Sequence, residues 1–395
     1  MTPSLPPPTD DERHHSDRLA ALLTSHIASE GGAIPFWRFM ELCLYAPGLG
    51  YYSAGARKFG AEGDFVTAPE LGALFAECVA EAMAPALQAL GPQARWLELG
   101  GGSGRFVVDA LRHLQALDAL PQRYAILEPS ADLRERQQQR VREELPHALA
   151  SRVEWIDRPM DGDWNGVMFA NEVIDALPTP RFLIDGGRVL EEYVAHDAEH
   201  GFHVIERPAD ALMEAAVRHV ERDLERTLPD GYRSELLPQL PYWLQAVVGG
   251  LRRGAVLLVD YGHPRREYYA SHRDDGTLRA FRRQHVVSDV LAWPGLQDIT
   301  ASVDFTALAE AGTGAGFELA GYCSQASFLL GNGLDRRLQA AEAQAADETA
   351  CLRLRQQAKT LTLPEAMGER FGVIGFAHEV DLNAAFLVGD LTWRL

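Results

Sequence analysis

Three glycines on alternate positions follow a carboxylate near residue 100. An apolar run that carries Glu98 is followed by Gly100, Gly102 and Gly104, and a helix-like segment comes next. A turn that leaves a buried strand and approaches a ligand closely has no room for a Cβ atom, so glycine is the residue that fits. A dinucleotide-binding turn needs a third glycine where this chain has Arg105, so the spacing favours S-adenosylmethionine (SAM), which has no pyrophosphate. A plain tight turn between a strand and a helix is the alternative that the glycines alone leave open.

Further acidic residues are candidates for the rest of the cofactor. Glu128 follows the second predicted strand, where a carboxylate can accept hydrogen bonds from both hydroxyls of a ribose. Asp157 follows the third predicted strand, beside Trp155, and is a candidate for contact with an adenine edge. Glu98 is the candidate anchor for the amino group of SAM. The alternative is that Glu128 is exposed to solvent and only caps the next helix.

An amide and two carboxylates emerge where the fourth predicted strand ends. They are Asn171, Glu172 and Asp175. Methyl transfer needs in-line geometry between the sulfonium and the accepting atom, so positioning supplies most of the rate. If the acceptor is a guanidinium, carboxylates can hold its planar fork and localise its charge on one nitrogen. The alternative is structural, with Asn171 capping the following turn and Glu172 facing water.

The elements that must position these side chains alternate between strand and helix. This alternation predicts an α/β fold with a doubly wound parallel sheet, in which ligands bind at the carboxyl ends of the strands. The gap between the fourth and fifth strands is too long for a simple crossover, which predicts an inserted subdomain. The predicted strands are 95–99, 123–128, 152–156, 166–170 and 255–259.

The predicted domains are a disordered start, a helical lid region, a core that carries the cofactor, and the inserted subdomain. The disordered start covers 1–16 and the lid region 17–92. The core covers 93–177 and 254–395, with a helical insertion at 334–362, and the inserted subdomain covers 178–253.

Composition and charge narrow the range of partners. With 37 basic and 56 acidic residues the net charge is −19, which argues against nucleic acid, because phosphates need a basic surface. The start of the chain has no basic segment followed by an apolar core, so no signal or transit peptide is predicted. No apolar run approaches the about 18 residues of a membrane span, and the four cysteines lack metal-ligand spacing. We therefore expect a soluble cytoplasmic protein without a metal site or a membrane partner.

Longer motifs resemble a known family. They include Leu44-Tyr45, Gly50-Tyr51-Tyr52, Gly63-Asp64-Phe65-Val66-Thr67-Ala68-Pro69-Glu70, Glu98-Leu99-Gly100, Asn171-Glu172, Asp175-Ala176-Leu177-Pro178, Asp260-Tyr261-Gly262-His263, Gly276-Thr277-Leu278-Arg279, Asp298-Ile299-Thr300 and Met367-Gly368-Glu369-Arg370-Phe371. Over roughly residues 36–330 and 367–377 the chain is similar to the MidA-like SAM-dependent methyltransferases, the family of mitochondrial complex I assembly arginine methyltransferases.

The resemblance implies a class I methyltransferase core with a Rossmann-like sheet and SAM as the methyl donor. It also implies that Asp64, Phe65 and Thr67 belong to a loop before the core that closes over the cofactor. The glycine turn departs from the family's usual G-P-G-R-G pattern at Gly101 and Ser103, but the three alternate glycines are kept.

The predicted function is therefore SAM-dependent methylation of a protein arginine side chain. A respiratory-complex subunit is a candidate substrate, because the mitochondrial members of the family methylate one, and a second copy of the chain is a candidate partner. The alternatives are a SAM-binding assembly factor or chaperone with little or no catalysis, and a small-molecule methyltransferase.

Overall fold

The computed structural model describes residues 6–53, 67–283 and 285–395. The helices are α1 (Asp10–Ser29), α2 (Phe36–Tyr45), α3 (Ala73–Leu90), α4 (Arg105–Ala116), α5 (Ala131–Glu144), α6 (His147–Ala150), α7 (Ala211–Asp223), α8 (Leu240–Val248), α9 (Arg265–Tyr268), α10 (Phe305–Gly314), α11 (Gln325–Gly331), α12 (Leu334–Ala343) and α13 (Glu348–Thr362). Short 3₁₀ helices cover Ala68–Leu71, Asn383–Phe386 and Thr392–Arg394. The strands are β1 (Ala33–Pro35), β2 (Arg95–Leu99), β3 (Arg123–Leu127), β4 (Val153–Ile156), β5 (Trp164–Asn171), β6 (Arg181–Asp185), β7 (Arg188–Asp197), β8 (Gly201–Pro208), β9 (Arg233–Glu235), β10 (Leu251–His263), β11 (Arg279–Arg282), β12 (His285–Val287), β13 (Asp298–Thr300), β14 (Val303–Asp304), β15 (Glu318–Ser324) and β16 (Phe371–His378).

The described residues form two compact units. The first contains the described residues of 1–65, 174–239 and 263–304, and the second those of 66–173, 240–262 and 305–395. This division differs from the predicted one at several places. Residues 174–177, predicted in the core, belong to the first unit, and 240–253, predicted in the inserted subdomain, belong to the second. Helix α3, predicted in the lid region, belongs to the second unit, and 263–304, predicted in the core, belongs to the first.

The second unit is built on a mainly parallel sheet. Its strand order is β15-β16-β10-β5-β2-β3-β4. Neighbouring strands from β10 to β4 are parallel, whereas β16 is antiparallel to both β10 and β15. The chain places β2, β3 and β4 in succession and then returns to place β5 on the other side of β2. Ligands of open α/β sheets bind outside the carboxyl ends of the strands at such a reversal. The predicted α/β fold with a parallel sheet is confirmed.

Apolar side chains cover this sheet on its helical side. Trp96 of β2 and Phe169 of β5 are buried against Phe106 of α4, whose ring stacks on that of Phe169 at 4.3 Å between centroids. Phe75 of α3 contacts the rings of Phe106 and Phe169. Strands covered by helices are nearly continuous apolar runs, which is why they could be recognised in the sequence.

Helix α3 is long and apolar enough to cross a membrane by length and composition, contrary to the expectation that no segment of the chain is. In the structure 61% of its residues are buried inside the protein, as expected for a core helix.

The first unit packs α1 and α2 beside antiparallel strands. One sheet has the order β1-β7-β6-β9, with β8 paired to β7, and a smaller sheet has the order β12-β11-β13. Leu19 and Leu23 of α1 and Phe36 and Phe39 of α2 are fully buried in this unit.

The predicted disorder of residues 1–16 is wrong from residue 10 onward, where α1 begins. Thr9 and Glu12 form a capping box: the Thr9 N–H donates to the Glu12 carboxylate at 2.7 Å, and the Glu12 N–H donates to the Thr9 hydroxyl at 3.3 Å. The buried Arg282 donates to the Pro6 carbonyl at 2.8 Å and to the Glu12 carboxylate at 2.9 Å. A capping box and a partly buried ion pair therefore order this proline-rich start.

Candidate active site

The glycine turn joins β2 to α4 at the carboxyl edge of the parallel sheet. Gly100, Gly102 and Gly104 have φ values of +65°, +51° and +79°, a region that residues with a Cβ rarely adopt. A Cβ on Gly101 would lie 2.8 Å from the Ile126 side chain, whereas a Cβ on Gly102 would meet nothing within 4 Å. The turn is thus closed by protein on one side and open at Gly102, which fits a cradle for the methionine part of SAM.

The segment that starts at Thr67 is tied to this turn. Thr67 directly precedes a short 3₁₀ helix, and Glu70 in that helix accepts a hydrogen bond from the Ser103 hydroxyl. Arg140 of α5 donates to the same hydroxyl. The predicted loop residue Thr67 is therefore part of a segment held against the turn. The other two predicted loop residues, Asp64 and Phe65, lie outside the described residues.

The acidic residues after β3 and β4 lie at the same edge of the sheet. The buried Glu128 accepts the Ser130 N–H on Oε1 at 3.0 Å and the Gln137 amide on Oε2 at 3.1 Å. Asp157 has a side chain that is 84% exposed and pairs with Arg134 at 2.6 Å. Arg134 also donates to the Glu128 carbonyl at 2.8 Å, so it links the ends of the two strands.

Glu98 is buried in β2, and the Tyr124 hydroxyl donates to its carboxyl group at 2.8 Å. Burial, with a smaller contribution from the Glu128 carboxylate, raises the pKa of Glu98 to about 8. Burial penalises the charged form, so Glu98 is mostly neutral at pH 7 unless a cation is brought beside it.

Glu98 is expected to make the stability of the protein depend on pH. Its pKa of about 8 in the folded state lies above the ordinary value of 4.5, so the unfolded chain loses this proton first as pH rises. The protonated Glu98 stabilises the fold fully below the pKa of 4.5, and this stabilisation is lost progressively as pH rises towards about 8. Within this window the free energy of unfolding changes by at most about 1.4 kcal/mol per pH unit. Denaturant unfolding at pH values across this window should show a flatter profile for Glu98→Gln. The exposed Glu135→Gln is the matched control, and a Glu98→Gln profile as steep as the wild type would contradict the assignment.

Asn171 and Glu172 lie where β5 ends, next to the glycine turn. The register of β2 and β5 pairs Leu99 with Ala170, so both strands reach the edge together. The Asn171 amide donates to the Glu172 carboxylate at 2.9 Å, and the Asn171 Oδ1 is buried with no hydrogen-bond partner among the described residues. Glu172 has a φ of +54°, and its N–H donates to the Val259 carbonyl at 2.9 Å.

Asp175 belongs to the first unit, not to the unit that contains Asn171 and Glu172. It is buried, and its carbonyl accepts the Ala301 N–H at 3.0 Å. Its charge acts on Tyr52, whose hydroxyl donates to the Asp298 carboxylate at 2.9 and 3.0 Å. Burial, followed by the charge of Asp298 and by smaller contributions that include Tyr45 and Asp175, holds the pKa of Tyr52 well above its usual value. The structure therefore groups Asp175 with Tyr52 and Asp298.

Sequence reasoning missed the side chains that support the site from α5. Arg134, Gln137 and Arg140 contact the ends of β3 and β4 or the glycine turn. This helix is so rich in charged and polar residues that its pattern indicates a solvated surface. The usable signal was its start, where the Ser130 hydroxyl caps the helix by accepting the Leu133 N–H.

Sequence comparison identifies relatives over most of the chain. The profile of a family described as "putative S-adenosyl-L-methionine-dependent methyltransferase" matches residues 78–323. The protein arginine methyltransferase NDUFAF7 homologue of Drosophila melanogaster, named as mitochondrial, is 30% identical over 410 residues, covering 94% of this chain and 88% of that protein. The mitochondrial protein arginine methyltransferase NDUFAF7 of Homo sapiens is 29% identical over 365 residues, covering 86% of this chain and 79% of that protein.

Structure comparison gives a match over nearly the whole chain. A crystal structure from Burkholderia thailandensis, of a "likely methyl transferase" bound to S-adenosyl-homocysteine, has a TM-score of 0.92 and 40% identity, covering 99% of this chain and 100% of that one. A native crystal structure from the same organism has a TM-score of 0.89 and 39% identity, with the same coverage.

These comparisons correct the predicted cytoplasmic location. The curated relatives are named as mitochondrial proteins, so that prediction is not supported. The lack of a targeting pattern in the first residues does not establish a compartment.

The comparisons agree with the sequence motifs and with the glycine cradle in indicating a SAM-dependent methyltransferase. The profile match covers more than half of the chain, and the Drosophila relative is similar over nearly all of it. The protein therefore belongs to the MidA-like family of SAM-dependent methyltransferases, and SAM is its methyl donor.

Proposed function

We propose that this methyltransferase acts on a guanidinium nitrogen of an arginine side chain in a protein substrate. The observation that carries the proposal is the carboxylate of Glu172, held by the Asn171 amide at 2.9 Å beside the glycine turn. The end of β5 lies close to the glycine turn, because a Cβ on Gly100 would lie 3.0 Å from the side chain of Val173, the residue after Glu172. The names of the curated relatives, protein arginine methyltransferases, support the same acceptor.

A carboxylate at this place suits a guanidinium for a chemical reason. It can accept two parallel N–H bonds from the planar fork and draw the positive charge towards the bound nitrogens. The remaining nitrogen is then the better nucleophile, and the Glu172 carboxylate is a nearby acceptor for the proton that leaves after methylation. SAM, when bound, supplies an electrophilic methyl group on a sulfonium.

The backbone of Glu172 supports a functional role for its position. A residue with a Cβ at a φ of +54° stores about 1–3 kcal/mol of strain, which the surrounding structure must impose. The bond from its N–H to the Val259 carbonyl, at 2.9 Å, holds this conformation. Strain of this kind clusters at active sites, which supports the role proposed for this side chain.

We assign the cofactor roles by position at the sheet edge. The Glu128 carboxylate would bind the ribose hydroxyls, the Asp157 carboxylate the adenine edge, and Glu98 the amino group, whose charge would favour the ionised carboxyl. Gly100, Gly102 and Gly104 would line the methionine part, and Thr67 would belong to the segment over the cofactor. The catalytic role predicted for Asp175 stays a prediction.

The substrate is proposed to be a protein with a basic segment around the arginine. The net charge of −19, from 37 basic and 56 acidic residues, favours association with such a segment. We further propose that the substrate is a subunit of a respiratory complex and that the protein is a homodimer. Sedimentation velocity of the purified protein tests the second point.

The acceptor is tested with methyl-labelled SAM and pairs of basic peptides that differ only in having arginine or lysine. We expect label in the arginine peptides, recovered as methylarginine after hydrolysis. Label in the lysine peptides would contradict the proposal. A protein that binds SAM but labels neither peptides nor an extract of cellular proteins would instead favour the assembly-factor alternative.

A further inference from the structure

Gln137 of α5 is fully buried and contacts the ends of β2, β3 and β4. Its Nε2 donates to the Gly102 carbonyl at 2.9 Å and to the Glu128 carboxylate at 3.1 Å. Its Oε1 accepts the indole N–H of Trp155 at 2.9 Å. One side chain therefore joins the glycine turn, the acid after β3 and an aromatic residue of β4.

The orientation of this amide is determined by its neighbours. The indole N–H can only donate, so it must face the amide oxygen of Gln137. The Gly102 carbonyl and an ionised Glu128 can only accept, so they must face the amide nitrogen. Glutamine satisfies all three partners, whereas glutamate would turn an acceptor towards two acceptors.

The glycine turn packs directly on this residue. A Cβ on Gly101 would lie 3.1 Å from the Gln137 Nε2, and a Cβ on Gly104 would lie 3.1 Å from the Gln137 Cα. The close approach of α5 to the turn thus depends on these glycines, and Gln137 fills the space between them and the sheet edge.

We propose that Gln137 is a positioning residue for SAM that acts through Glu128. Its amide on one carboxylate oxygen and the Ser130 N–H on the other fix the plane of the carboxylate before the ribose hydroxyls arrive. Preorganised acceptors bind more tightly because no side-chain freedom is lost on binding. The proposal rests on the ribose role of Glu128 proposed above.

The test measures the affinity of the full-length protein for S-adenosylhomocysteine by calorimetry. Gln137→Met keeps the length and loses the amide, and we expect its Kd to rise about 10-fold. Gln137→Glu should bind weakly at neutral pH and recover as pH falls, because a protonated carboxyl can again donate to Glu128. A purely structural role would not give this pH profile. Gln139→Met, exposed on the same helix, is the matched control and should bind like the wild type.

A double variant separates this proposal from the one on which it rests. If Gln137 acts through Glu128, Gln137→Met should cost much less affinity in a Glu128→Gln background than alone. Equal losses in both backgrounds, or no pH recovery of Gln137→Glu, would overturn the positioning role while leaving the ribose role intact. A Glu128→Gln variant with wild-type affinity would overturn the ribose role and the positioning role together.

Discussion

Replacing Glu172 with glutamine is expected to lower the rate of methyl transfer on the order of 100-fold or more, a loss comparable to that of a general acid or base. The affinity for S-adenosylhomocysteine should stay unchanged. The physical reason is that a glutamine amide offers one acceptor and turns an N–H donor towards the guanidinium, so the bidentate contact is lost. The volume and the bond from Asn171 to the Oε1 position are preserved in this variant.

The measurement is single-turnover transfer to an arginine peptide, with calorimetry on the same samples. The exposed Glu365→Gln serves as a control for removal of one negative charge and should behave as the wild type. A Glu172→Gln protein that loses affinity for the cofactor product as strongly as it loses rate would show that Glu172 belongs to the cofactor site instead.

Placing a methyl group at Gly102 is expected to block the cofactor without unfolding the protein. A Cβ at this position meets nothing within 4 Å in the protein, so a conflict can only come from a ligand that lies in the space. We expect the Kd of Gly102→Ala for S-adenosylhomocysteine to rise about 100-fold, which corresponds to about 2.7 kcal/mol. The left-handed backbone alone should lower the free energy of unfolding by about 1–2 kcal/mol.

Gly186 provides a control with the same backbone strain. Its φ is +57°, against +51° for Gly102, and a Cβ there also meets nothing within 4 Å. Gly186 lies in the turn between β6 and β7, in the first unit. Gly186→Ala should therefore lose a similar amount of stability and retain full affinity. Equal affinity in the two alanine variants would mean that the cofactor does not occupy the space at Gly102.

The parallel sheet and its glycine turn could be predicted because their signals are local. Strands β2, β3 and β4 lie within a residue of the predicted bounds, since each is a short apolar run between polar turns. The glycines were recognisable for the same reason: their φ values are a requirement of single residues. The family could be recognised as well, because its motifs are stretches of consecutive residues.

The organisation of the units could not be predicted, because it depends on contacts between distant parts of the chain. Helix α3 was predicted in the lid region from its place in the sequence, but its apolar surface packs with the core of the second unit. Residues 10–16 were expected to be disordered from their composition, yet Arg282, some 270 positions away in sequence, binds Glu12.

The fold class, the cofactor and the candidate carboxylates could be inferred from the sequence, because each follows from the type and spacing of neighbouring residues. The contacts that hold the carboxylates are visible only in the folded protein. The amide of Gln137 meets Gly102 across 35 positions, Tyr124 meets Glu98 across 26, and Asp175 belongs with Tyr52 and Asp298. Hydrogen bonds of this kind form between any side chains that packing brings within 3 Å or so. Their partners are therefore set by the register of the sheet and the approach of α5, and neither is encoded within a single segment.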